Sequence, residues 1–340
     1  MKLRLGVAAA ALLATVSATE AQAPAPASVD ALLASAKRAS GLDYAGTFQR
    51  ICVAPDNLNT GRGGGAGRGA AAATPAARAI PDRATWYAAP YKVFDNLYFI
   101  GTKIHSAWAL TTSQGIIVID SLYDYAIEPE MVEGLTKLGL NPRDVKYMLI
   151  SHAHGDHDQG AALFQSRFGT KIVMGGPDWD STVTRPATAP GGVPKRDIPV
   201  GPDGTRITLG DTSVDVIFTP GHTPGTISYI FPVKDNGRTL TVAYNGGTAF
   251  NFPRTTQAFA NYRDVMKKMG DAVGKSGASV LMTNHTEFDR AYDRARLAQI
   301  PRAAGEKPIY EPDAATVRRY FELTETCAEA QRIVSAVETR

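Results

Sequence analysis

Ser151-His152-Ala153-His154-Gly155-Asp156-His157 packs four metal-capable side chains into six residues, and three of the chain's six histidines lie there. Imidazole nitrogens and carboxylate oxygens are metal donors. Alternate residues at a strand end share a face, so His152 and His154 point one way. Asp156 and His157 can then turn back from the loop toward the same point. One short segment could thus serve two neighbouring ions, His152 and His154 facing one, Asp156 and His157 the other. A lone buried histidine is most often a satisfied core residue. Four such groups buried side by side without a cation would carry a heavy desolvation penalty. Two remote histidines complete two groups of three. His222 stands in Thr219-Pro220-Gly221-His222-Thr223-Pro224-Gly225, whose prolines and glycines mark a rigid tight loop. His285 stands in Met282-Thr283-Asn284-His285-Thr286. The sixth histidine, His105, has no such context and reads as a rim or supporting residue.

Elements must hold these side chains. The apolar, β-rich run 145–150 reads as a buried strand, and 159–165 as a helix with Asp158 as its N-cap. The motif therefore lies at the carboxyl end of a strand entering a helix, where α/β architectures hold ligands. A strand-like run 214–218 leads to His222, and an apolar run 278–281 leads to His285. Further strands are expected at 96–101, 107–112 and 115–120, with strand-rich sequence at 206–244. Helices are expected at 29–38, 127–139, 256–269 and 312–337. This pattern suits one α+β fold, a sandwich of two mixed sheets with helices outside. The expected organisation is a leader 1–21, an arm 22–90, a catalytic domain 91–300 and a terminal helix 301–340 packed on it.

The leader has Lys2 and Arg4, then an apolar run from Val7 to Val16 and small residues that offer cleavage near 18–23. That is a secretory signal pattern, too short to span a membrane, although an N-terminal anchor is the alternative. No other stretch approaches the ~18 apolar residues of a span. A periplasmic or secreted protein with no stable membrane insertion after cleavage is expected. Cys52 and Cys327 are the only cysteines. In an oxidising compartment an even pair suggests one disulfide, tying the arm to the final helix; two buried thiols are the alternative. Net charge is +3, too small an excess to argue for nucleic acid. The Gly/Ala/Arg segment 59–79 reads as a mobile linker rather than an RNA-binding run. A monomer acting on a small molecule is expected.

The motif set His152-x-His154-x-Asp156-His157, then Gly221-His222-Thr223-Pro224-Gly225, then the late lone His285, resembles the metallo-β-lactamase superfamily over roughly residues 90–290. The resemblance implies an αββα sandwich and two zinc ions. His152, His154 and His222 would bind the first, and Asp156, His157 and His285 the second. That set, with no cysteine, is similar to subclass B3 β-lactamases. Asp120 matches the family's early strand-end aspartate and would hold a metal-bound imidazole or nearby backbone; a simple turn aspartate is the alternative. Many superfamily hydrolases carry an aspartate bridging both metals where this chain has Gly247. The late motif also departs from the usual His-Pro-Gly, reading His285-Thr286-Glu287. The implied chemistry is attack on an activated carbonyl by zinc-activated hydroxide oriented by Asp156. No Gly-x-Ser-x-Gly elbow supplies a rival nucleophile. The expected reaction is opening of a β-lactam ring. Lactone or ester hydrolysis is the first alternative, and metal binding without turnover the second. The substrate contacts are not legible; His105, Trp108, Tyr229 and Asn245 are candidates for the rim, each more often structural than functional in such a position.

Overall fold

A computed structural model describes residues 28–53 and 80–338. The expected leader 1–21 and the segment 59–79 lie outside the described residues.

Twelve strands form two sheets among the described residues. The first sheet contains β1 (Tyr91–Phe94), β2 (Leu97–Phe99), β3 (Trp108–Thr112), β4 (Gly115–Ile119), β5 (Val145–Leu149), β6 (Lys171–Gly175) and β7 (Ile198–Val200), in that spatial order. Its first half is an antiparallel meander, whereas β4 to β7 run parallel. The second sheet holds β8 (Thr205–Leu209), β9 (Thr212–Phe218), β10 (Ile227–Asp235), β11 (Arg238–Asn245) and β12 (Val280–Thr283), ordered β12-β11-β10-β9-β8. Only the β11–β12 pair is parallel there. Both sheets are therefore mixed, and the α+β sandwich is the fold.

Side-chain alternation explains the layering. In β4, Ile117 and Ile119 enter the core between the sheets, while Ile116 and Val118 face the opposite way. The inter-sheet core joins Phe99, Trp108, Ile117 and Leu149 to Tyr229, Phe231, Val242 and Tyr244. Outside the first sheet, Val118, Met148 and Ile172 pack beneath Met131, Leu135, Phe164 and Trp179. Outside the second, Ile230, Ala243 and Leu281 pack beneath Tyr262, Met266, Val317 and Phe321 of the long helices Thr256–Ser276 and Ala314–Glu338. The first helix, Val29–Ser40, contributes Ala36 and Ala39 to that same outer core. Cys52 and Cys327 are joined by a disulfide that ties this arm to the terminal helix.

Two local expectations need correction. Asp158 does not cap the helix after the motif. A separate turn of helix, Gly155–Asp158, already begins inside the motif, and the next helix, Ala161–Phe168, starts at Gly160 without a side-chain cap. The buried Asp158 carboxylate instead meets Arg185 at 2.6 Å. The helix expected at 256–269 runs on to Ser276, because Gly270 and Gly274 do not break it. It ends at Gly277, whose φ of 65° is the left-handed cap that glycine adopts freely.

Candidate metal centre

The site lies where both sheets end. β5 runs out at Leu149, and Ser151 then bridges the layers, its carbonyl accepting from Ile227 N at 2.8 Å. The turn Gly155–Asp158 sends Asp156 and His157 back toward His152. The loop between β9 and β10 presents His222. It is closed by Thr219 N donating to Thr226 O at 2.9 Å and Thr223 N donating to Thr226 Oγ1 at 2.8 Å. The end of β12 presents His285. Close backbone crossings demand glycine here: a Cβ on Gly246 would stand 1.9 Å from Ile227 O.

Hydrogen bonds fix which ring nitrogens face inward. His152 Nδ1 lies 2.9 Å from Gly246 O, and His222 Nδ1 lies 2.7 Å from Ala249 O. A carbonyl only accepts, so both Nδ1 atoms carry the hydrogen and both Nε2 lone pairs point into the site. His157 follows the same rule, its Nδ1 donating to Asp120 Oδ2 at 3.0 Å. His154 is reversed and presents Nδ1, 3.1 Å from His222 Nε2. His157 Nε2 and His285 Nε2 stand 3.2 Å apart, and Asp156 Oδ2 lies 3.4 Å and 3.5 Å from them. Donors bound tetrahedrally to a zinc-sized ion at ~2.05 Å are separated by about 3.3 Å.

The cluster fits a metal on a second ground. His152 Nε2 is buried with no hydrogen-bond partner. His152, His154 and His222 form one triad of facing donors, and Asp156 adjoins His152 and His157 in another, each triad within 4.8 Å. Burial, then the neighbouring rings, holds His152 well below the usual imidazole range and His222 down to about 3. Burial likewise lowers His154 and His285. These rings are therefore neutral lone-pair donors, as ligation requires. Burial also opposes charge on His157, but Asp156 and Asp120 outweigh it and push the ring up to about 10. A cation here competes with that proton.

Two buried carboxylates hold the donors. Asp120, fully buried at the end of β4 with φ 60°, accepts from Ser151 N at 2.7 Å, Tyr244 Oη at 2.8 Å and His157 Nδ1. The last of these contacts fixes the tautomer and orientation of the His157 ring. Asp178 is a residue that sequence reasoning missed. It accepts from Ala153 N at 2.7 Å, Thr223 Oγ1 at 2.7 Å and Gly225 N at 2.8 Å. One side chain thus clamps the loop of His154 to the loop of His222. The signal that could have found it is the one that found Asp120, an aspartate just beyond a strand end.

Three of the four rim candidates are buried away from solvent. Trp108 and Tyr229 are fully buried between the sheets, where β-strand alternation turns them inward, Trp108 against Phe99 and Tyr310. Asn245 is also fully buried, donating to Tyr320 Oη at 3.1 Å and accepting from Gly247 N at 3.2 Å. These three support the fold rather than a substrate. His105 alone reaches the site, its Nε2 standing 3.4 Å from Asp156 Oδ2. Gly247 abuts His222, so a Cβ there would come within 2.6 Å of the His222 Cβ. A bridging carboxylate at that position has no room as the loop stands.

Comparison with known proteins agrees with this geometry. Residues 100–235 match the metallo-β-lactamase superfamily. A subclass B3 metallo-β-lactamase of Bradyrhizobium japonicum shares the fold at a TM-score of 0.59 and 24% identity, over 74% of this chain and 96% of that one. A metallo-β-lactamase from Legionella gormanii does so at 0.61 and 21%, over 74% and 97%. A hydroxyacylglutathione hydrolase of Acidiphilium cryptum is 34% identical over 168 residues, 47% of this chain and 63% of that protein. The chain spans less than two thirds of the length of such curated relatives. The matched segment runs from the end of β2 through both the histidine motif and the His222 loop, and the sandwich around it has the fold of these solved metallo-β-lactamases.

Proposed function

We propose that this chain is an exported dizinc hydrolase that opens the amide bond of β-lactams. The observation that carries the reading is the pair of facing donor sets, closed at 3.1 Å and 3.2 Å, with glycine where a bridging carboxylate would stand. His152, His154 and His222 would hold one ion, and Asp156, His157 and His285 the other. When bound, zinc supplies Lewis acidity that polarises a carbonyl and lets water act as a nucleophile near neutral pH. Asp156, ringed by the Nε2 atoms of His105, His157 and His285, is placed to orient that water and to carry its proton toward the departing nitrogen. Asp120 keeps His157 in the tautomer that presents Nε2. The Cys52–Cys327 disulfide supports an oxidising, periplasmic or secreted setting.

A second reading, hydrolysis of hydroxyacylglutathione or a lactone, is favoured by the 34% match to a hydroxyacylglutathione hydrolase. Metal analysis combined with a substrate panel separates the two. The first reading expects two zinc ions per chain and chelator-sensitive turnover of a chromogenic cephalosporin or a carbapenem. Two zinc ions with lactone or thioester cleavage and no β-lactam turnover would establish the second. Replacing His222 by Ala should remove one ion and the activity; full activity in that variant would sink the ligand assignment.

A further inference from the structure

We propose that His105 is a fourth protein ligand of the second metal position, alongside Asp156, His157 and His285. The second position is then closed by protein, and the His152–His154–His222 position alone keeps an exchangeable site. This rests on the two-metal reading above and assigns its two positions different work.

Distance is the first ground. His105 Nε2 lies 3.4 Å from Asp156 Oδ2, matching the 3.4 Å from His157 Nε2 and the 3.5 Å from His285 Nε2. The donor atoms of His105, Asp156 and His285 all fall within 4.8 Å of one another. The ring is nearly buried, with 12% of its side chain exposed, and stands edge-on to the rings of Tyr123 and His285, each at 5.2 Å.

The second ground is that the position is built. Thr102 Oγ1 accepts from His105 N at 2.8 Å and from Ile104 N at 3.1 Å, while Thr102 N donates to His105 O at 2.9 Å. His105 and His285 form an antiparallel bridge. Ser106 N donates to Asn284 O and Thr286 N to Ile104 O, both at 2.9 Å. Gly101 allows the turn to close, because a Cβ there would meet His105 O at 2.5 Å. The backbone thus welds the His105 turn to the segment carrying His285.

The third ground is coordination number. Structural zinc sites are filled by four protein ligands, and catalytic ones keep a place open. With Gly247 pressed against His222, no carboxylate completes the second position from that side. His105 supplies a donor from the opposite strand connection. Its imidazole holds the second ion and Asp156 in place, and water exchange is confined to the first position.

The test titrates the metal-free full chain with Co(II), reading stoichiometry, affinity and visible ligand-field absorption. Wild type should bind two ions, one of them with the intense bands of a four-coordinate site. His105→Ala should keep one ion unchanged and bind the other at least about 10-fold more weakly, with reduced band intensity as water replaces the imidazole. Two ions bound by His105→Ala with wild-type affinity and spectrum would overturn the proposal. His285→Ala runs in parallel: if it too binds both ions as wild type does, the whole ligand set of the second position fails, not the His105 assignment alone, whereas wild type binding fewer than two ions overturns the two-metal reading itself. Thermal unfolding of the metal-free proteins reports fold integrity. Should the alanine variant unfold, His105→Gln, which fills similar space without an imidazole, is judged by the same criteria.

Discussion

Replacing Asp178 by Asn should loosen the centre without touching a metal donor. Asp178 Oδ2 accepts from Ala153 N and Thr223 Oγ1, both at 2.7 Å, and Oδ1 from Gly225 N at 2.8 Å. The carboxylate is buried, and burial pushes its pKa up against the pull of these donors. Asparagine has one acceptor oxygen where aspartate has two. If that oxygen stays with Gly225, the new amide NH2 faces the Ala153 N–H; if it flips, it faces the Gly225 N–H. Either way one buried donor is opposed by another donor. The backbone cannot retreat easily, since Gly225 is packed so closely that a Cβ would stand 2.6 Å from the Asp178 Cβ. A lost charge-assisted bond of ~1.5–3 kcal/mol and a partly unsatisfied N–H give an expected destabilisation of about 2–4 kcal/mol. A domain with ~5–15 kcal/mol of stability still folds. The same clamp sets the 3.1 Å separation of His154 Nδ1 and His222 Nε2. Affinity for the first ion should therefore fall about 10–100-fold, the usual cost of losing a residue that orients ligands. Urea unfolding of the metal-free protein and chelator competition with zinc measure the two effects. Stability within about 0.5 kcal/mol of wild type together with unchanged zinc affinity would refute the clamp.

Two further predictions concern the frame. Glu130 is buried, with one oxygen accepting from Ala88 N at 2.8 Å and the other unpartnered, and burial pushes its carboxyl from 4.5 up to about 8. The folded chain keeps this proton through that interval while the unfolded chain sheds it, so its contribution to stability declines as pH rises from 4.5 to about 8. Glu130→Gln should gain on wild type by up to about 1.4 kcal/mol per pH unit across that window and level off above it; a pH-independent difference in urea unfolding contradicts this. Opening the disulfide in Cys52→Ser releases a closure across 275 residues and should cost about 3–5 kcal/mol. Calorimetry under non-reducing conditions reads the change, and a wild-type Tm for the variant would show that the bridge does not stabilise the arm.

How much was legible in sequence follows from how local each interaction is. The runs before His152 and His222 reveal strands because alternation and β-branched content act within a few residues. The donor motif is legible because histidine is scarce in this chain and the remote pair sits in tight loops. Trp108, Tyr229 and Asn245 stayed open between rim and core because a strand's period shows that faces differ, not which face is buried; only the pairing of β3, β10 and β11 decides that. Asp158 misled for the opposite reason. Its local capping preference lost to a buried ion pair with Arg185, a partner that only tertiary structure brings near. Asp178 and His105 share this long-range character. Asp178 matters because the end of β6 meets the β9–β10 loop, and His105 because its turn bridges to His285. The candidate donors are thus written locally in the chain, whereas their geometry depends on contacts between distant segments. Substitutions at Asp178 and His105 should therefore alter metal affinity without altering the histidine motif by which the centre is recognised.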